Sequence, residues 1–246
     1  MPIALMLVLT TTMVATAFVS GIFGMAGGLI LIGVLLALLP VPEAMALHAV
    51  TQMASNGWRA LLWVRYVRWR ATLTFLMGCT VAFAVWSVWR YVPSKPVALI
   101  LLGISPFIVR ALPTGLKPDP MRLTHGLTYG ALSMSLMLLT GVSGPMLDTY
   151  FLGGGLQPRE IVATKAACQV ANHGAKLLYF GGLVESAAGI DPVLAAAAVV
   201  ASMVGTSLAR PVLMRMSETQ YRAWTFNIIS VIGASYLAAG LYLVVQ

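Results

Sequence analysis

The chain has 246 residues, of which 59% are hydrophobic and 9% charged, with a formal net charge of +8. A soluble domain carries about 25% charged residues, so too little polar surface is available here to cover a water-soluble globule. The basic balance calls for no nucleic acid, because lysine and arginine on inner loops are what orients a membrane protein.

Pro2 to Pro42 holds no charged residue, and a single span needs about 20 apolar residues. The N-terminus lacks a basic n-region, so the first stretch is expected to stay in the mature protein. Hydropathy and breakers predict ten helical segments at 3–22, 28–40, 44–64, 71–90, 96–111, 121–140, 144–156, 160–180, 191–209 and 221–244. Segments 28–40 and 144–156 hold 13 residues each. At about 1.5 Å per residue they cover roughly 20 Å, short of a hydrocarbon core of about 30 Å. Each follows a glycine-rich break, GIFGMAGG from Gly21 to Gly28 and TGVSGP from Thr140 to Pro145. Such breaks start half-helices inside transporters; the alternative is a tight turn at the surface. Trp63, Tyr66, Trp69, Trp89 and Tyr91 read as an interfacial belt.

A shift of 117 residues brings Gly24 onto Gly141, Gly27 onto Gly144, Glu43 onto Glu160, Gln52 onto Gln169 and Gly57 onto Gly174, with 11 identities in 38 positions between 24 and 61. His48 then lies opposite Lys165 and Arg59 opposite Lys176. The matches fall on glycines and polar residues, which hydrophobic bias does not explain. The loop after 44–64 carries Arg65, Arg68 and Arg70, whereas its counterpart around 182–191 carries Glu185 and Asp191. The positive-inside rule puts these loops on opposite faces, so the second copy is inverted. With Arg110, Lys117, Arg122, Arg159, Arg210, Arg215 and Arg222, the inner loops hold ten basic residues against two, Arg90 and Lys95, outside. Both termini then face outside.

Two helices carry polar stripes: His48, Gln52, Ser55, Asn56 and Arg59 on one, Lys165, Gln169, Asn172, His173 and Lys176 on the other. The spacing of i, i+4, i+7/8 and i+11 keeps each set on one face. Charge inside a bilayer is costly, so both faces are expected to point inward. The functional reading is an anion site of donors and positive charge, completed by the free N–H groups of two half-helix N-termini at Gly24, Gly27 and Gly28 and at Gly141, Ser143 and Gly144. The structural alternative is interhelical hydrogen bonding, with Arg59 and Lys176 reaching toward the helix ends. Glu43 and Glu160 read mainly as helix-start residues. Asp148, where the first copy has Leu31, either couples a proton or pairs with Lys165 or Lys176. Cys79 and Cys168 give neither a disulfide framework nor metal spacing. No phosphate loop or nucleophile elbow appears, so neither a cofactor nor an enzyme is expected.

The segments SGIFGMAGGLILIGVLL, HAVTQMASNGWRALLWVRYVRWR, LTGVSGPMLDTYFLGG and TKAACQVANHGAKLLYF resemble the TauE/SafE sulfite exporter family of membrane permeases. The resemblance spans nearly the whole chain and implies transport of small sulfur-containing anions such as sulfite and organosulfonates. The family's glycine motif matches Gly24, Gly27, Gly28, Gly141 and Gly144, and its polar positions match His48, Gln52, Asn56, Gln169 and Asn172. Ser143 and Pro145 depart from the usual motif, and Asp148 is unusual. The expectation is an all-α integral membrane protein, an inverted repeat of residues 1–117 and 118–246 forming one transport domain. It acts as a multi-pass secondary anion transporter of a bacterial inner membrane, with protons as a candidate coupling ion through His48, His173 or Asp148. A passive anion channel, a membrane-embedded enzyme and a non-transporting subunit are the alternatives.

Overall fold

The computed structural model describes residues 3–23, 25–111, 118–152, 155–184, 189–213 and 215–245, and among them there is no strand. Gly24, Lys117 and Glu185 lie outside the described residues, and only the backbone of Arg110, Arg210 and Arg222 is described. The helices are α1 (Ile3–Phe23), α2 (Met25–Leu38), α3 (Val41–Leu62), α4 (Trp69–Trp89), α5 (Lys95–Ala111), α6 (Leu123–Thr140), α7 (Gly144–Leu152), α8 (Pro158–Leu178), α9 (Pro192–Leu213) and α10 (Glu218–Val245). The ten expected segments are thus present, and two differ in a way that has a physical cause. α2 begins at Met25, so Gly27 and Gly28 lie inside the helix and not in the break. A side chain on Gly27 would strike the Thr16 carbonyl and Ser20, so its absence lets α2 press against α1. α7 ends at Leu152 after nine residues, about 13 Å of rise.

Among the described residues, four helices are long and apolar enough to cross a membrane: α1, α4, Pro192–Ala209 of α9 and Phe226–Val245 of α10. On α4, Leu73, Met77, Val81, Val85 and Val88 are exposed along one face. An apolar stripe of that length is stable against lipid and not against water. Together these features make the chain a membrane protein.

The closest packing joins distant helices. α1 lies on α9, α4 on α6, α5 on α10 and α3 on α8. Exchanging the first five helices for the second five maps each of these pairs onto another member of the set or onto itself. Small residues make the approach possible, as in membrane helices generally. A Cβ on Gly78 would meet the Leu127 carbonyl across α4–α6, and one on Gly205 would meet the Val14 carbonyl across α9–α1. α3 and α8 run antiparallel: Arg68, just past the end of α3, pairs with Glu160 at the start of α8. At the other end Tyr179, following α8, donates to the Tyr91 carbonyl at 2.9 Å, beyond the end of α4.

The expected helix-start role of Glu160 is seen in full. Its carboxylate accepts from the Gln157 N–H at 3.0 Å and completes a capping box. Glu43 stands in the first turn of α3 without a side-chain cap bond. Trp63, Trp69, Trp89 and Tyr91 are exposed near the helix ends, and the Arg65 guanidinium lies 4.9 Å from the Tyr66 ring centre.

Candidate functional site

The polar faces of α3 and α8 meet, and one unbroken chain of hydrogen bonds crosses between them. His48 Nε2 lies 2.9 Å from the Gly28 carbonyl. A carbonyl only accepts, so Nε2 carries the proton and Nδ1 offers its lone pair. Lys176 Nζ donates to that Nδ1 at 2.7 Å and to the Gly141 carbonyl at 2.8 Å. Lys176 and His48 are both fully buried. The lysine therefore ties α8 to α3 and to the Gly141 break, and through His48 to the first turn of α2.

The backbone of the second break is shaped for this approach. Gly141 caps α6 with φ of +83°, a left-handed conformation that side chains rarely adopt. A Cβ there would also press on Met45 and Ile32. Met25, the first residue of α2, lies against Gly144, the first residue of α7; a Cβ on Gly144 would meet the Met25 side chain. The N-termini of the two short helices are thus neighbours. Gly28 faces the Gln52 amide, whose nearest atoms would lie 3.4 Å from a Cβ placed on that glycine.

Around this centre the second stripe is anchored by hydroxyls and a thiol. Asn172 Nδ2 donates to Ser133 Oγ at 3.3 Å and to Ser143 Oγ at 3.4 Å, and its Oδ1 accepts from Cys79 Sγ at 3.1 Å. Asn56 is turned back on its own helix, donating to the Gln52 carbonyl at 2.9 Å and accepting from Arg59 at 3.4 Å. Arg59 and Gln169 are half-buried. His173 is 3% exposed. Its ring centre is 5.5 Å from that of His48, and among the described residues its Nδ1 has no hydrogen-bond partner.

Lys165 takes no part in this cluster. It forms an ion pair with Asp148, and the two side chains are 20% and 29% exposed. Lys176, by contrast, has no carboxylate in salt-bridge range among the described residues. A buried ammonium that meets only neutral acceptors is incompletely compensated. The arrangement thus brings His48, His173, Lys176, Gly28 and Gly141 together, with Ser143, Gly144 and Asn172 beside them. It sets Lys165 and Asp148 apart as a neutralised pair. Ser133 and Cys79, which hold Asn172 from α6 and α4, carry no spacing signal in the sequence. Both cysteines are free and buried.

The family model "Sulfite exporter TauE/SafE" matches residues 9–236. No curated protein and no solved structure matches the chain.

Proposed function

Since the chain belongs to the TauE/SafE sulfite exporter family, which implies a membrane transporter of sulfite or related anions, we propose that it is a secondary transporter of one sulfur oxyanion or organosulfonate, working by alternating access. The observation that carries this reading is Lys176, a buried cation whose partners are a neutral imidazole and a carbonyl. Two short-helix N-termini meet beside it, where free N–H groups and the positive ends of the helix dipoles favour an anion. Gln52, Asn172 and Ser143 supply further polar groups around the same centre, and Gly27 and Gly144 allow the backbone to come close.

Two halves, 1–117 and 118–246, related by inversion across the membrane, supply the moving parts. The exchange symmetry of the helix pairs, α1 on α9 as α6 on α4, supports that relation. So do the opposite charges of the two equivalent loops. The chain then sits as a multi-pass protein in a bacterial inner membrane, with the Arg65–Arg70 loop inside and both termini outside. Rocking of one half against the other exposes the centre to each face in turn.

The test is uptake by proteoliposomes holding the purified chain, with labelled sulfite, thiosulfate, taurine and sulfoacetate. Saturable entry of at least one of these, and accumulation against its gradient when an ion gradient is imposed, is the expected result. Entry that never saturates and never accumulates would make the protein a passive anion channel. Entry no faster than in empty vesicles for all four would sink the anion-transport reading.

A further inference from the structure

Three bases share one closed region: His48, His173 and Lys176, all within α3 and α8. Two of them are committed. Lys176 donates to His48 and to Gly141, and His48 uses both ring nitrogens, Nε2 toward Gly28 and Nδ1 toward Lys176. His173 is different. Its Nδ1 is enclosed and has no partner among the described residues. A buried polar atom left alone costs free energy, so such an atom in a folded protein needs a reason.

Among the described residues, the charged and titratable groups facing His173 are few. From α3 comes His48, 5.5 Å away between ring centres, and from its own helix Lys176. The other candidates are engaged elsewhere. Asp148 of α7 is held by Lys165. Cys79 of α4 donates to Asn172 and the Gly130 carbonyl. The Tyr179 hydroxyl points at the Trp86 and Tyr91 carbonyls. His125 of α6 accepts from the Asp119 N–H in the loop before that helix.

We infer that His173 takes up a proton together with the transported anion, so that the cluster of His48, His173 and Lys176 is the coupling site of the transporter. The inference rests on the anion-transport reading above. In the empty site a proton on His173 sets a second positive charge beside Lys176 in a region closed to water, where like charges repel strongly. An anion seated between Lys176 and His173 cancels that repulsion. Each of the two ligands thus tightens the binding of the other, as linkage requires. The proton comes from solvent, adds to the Nδ1 lone pair and leaves by the same bond when the anion leaves; no covalent intermediate is formed. His48 cannot do this work, because a proton on its Nδ1 removes the acceptor that holds Lys176. It is the positioning residue, and His173 is the group that titrates.

The experiment uses the full chain in proteoliposomes with a pH-reporting dye inside and the membrane voltage clamped at zero. The imposed gradient is thiosulfate or sulfoacetate, both fully ionised near neutral pH; if only sulfite is carried, the run is made well above its own proton equilibrium. The interior is expected to acidify in step with anion entry, at about one proton per anion. His173→Asn is expected to slow anion entry and to bring that ratio toward zero, while His125→Gln keeps it. Anion entry without acidification in the unaltered protein overturns the inference and leaves anion transport standing. A wild-type ratio in His173→Asn, or a ratio lost in Asp148→Asn but kept in His173→Asn, also overturns it. No protein-dependent entry of any of these anions overturns the transport reading and the inference together. Should His173→Asn fail to fold, His173→Gln is read in its place, and a wild-type ratio in that variant overturns the inference.

Discussion

Lys165 and Lys176 stand three turns apart on the same face of α8, yet they live in different electrostatic worlds. Lys165 meets the Asp148 carboxylate, with 20% and 29% of the two side chains exposed. Lys176 is fully buried and meets an imidazole nitrogen and a backbone carbonyl. A cation already matched by a carboxylate has little field left for a third party. One matched only by dipoles keeps most of it. Position in a polar stripe therefore does not assign a role to a lysine; the charge of its nearest acceptor does.

The sharpest way to break this contrast is Lys176→Met. It removes a charge-assisted hydrogen bond of about 1.5–3 kcal/mol, so anion affinity should fall about 10- to 150-fold. The change also orphans His48 Nδ1 and the Gly141 carbonyl, so the midpoint of thermal unfolding should drop as well. Calorimetric titration of the purified protein reads the first effect. Near-normal affinity would put the anion somewhere else. Next in size is the Lys165–Asp148 pair. Lys165→Leu alone leaves a carboxylate unmatched and should destabilise more than Lys165→Leu combined with Asp148→Leu. A coupling energy of about 0.5–3 kcal/mol is expected from the cycle. The double variant should retain far more uptake than Lys176→Met. Uptake as low as that of Lys176→Met, at normal protein levels, would return Lys165 to the substrate site.

Ser133→Ala should be milder. It takes away one of the two hydroxyls that receive Asn172, at about 0.5–1.5 kcal/mol for a neutral hydrogen bond. Thermal unfolding with and without the anion measures it. The smallest effect belongs to Arg68→Ala. The Arg68 side chain is 53% exposed, so its pair with Glu160 is screened by solvent. No measurable change in unfolding or uptake is expected, and a large loss of uptake would reveal a role for that loop.

The helices were legible in the sequence because hydropathy and length fix a membrane element with few alternatives. The two stripes were legible because i, i+4 spacing puts residues on one face whatever the neighbours are. What spacing could not reveal was which lysine of the α8 stripe is matched by a carboxylate. Asp148 sits on a separate short helix, and its reach toward Lys165 or Lys176 depends on where the Gly141 turn aims α7. The start of α2 was misplaced for a related reason. Gly27 reads as a breaker in sequence, while in the fold it is a small residue against the α1 backbone at Thr16. Ser133 carries a hydrogen bond from Asn172, but a serine in an apolar run gives no hint of its partner 39 positions away.

The interleaved packing has a consequence in time. α1 finds its main partner in α9, and α3 finds its own in α8. At about 5–20 residues per second of synthesis, the first helix waits on the order of ten seconds or more before its partner exists. Throughout that interval the His48 end of α3 has no Lys176 to receive. The early helices must be sheltered by lipid or by the insertion machinery while the ribosome works. A chain stalled before Pro158 would hold three helices, α1, α3 and α5, that pack mainly on absent ones, and it is this arrested species, more than the finished protein, that quality control should recognise and degrade.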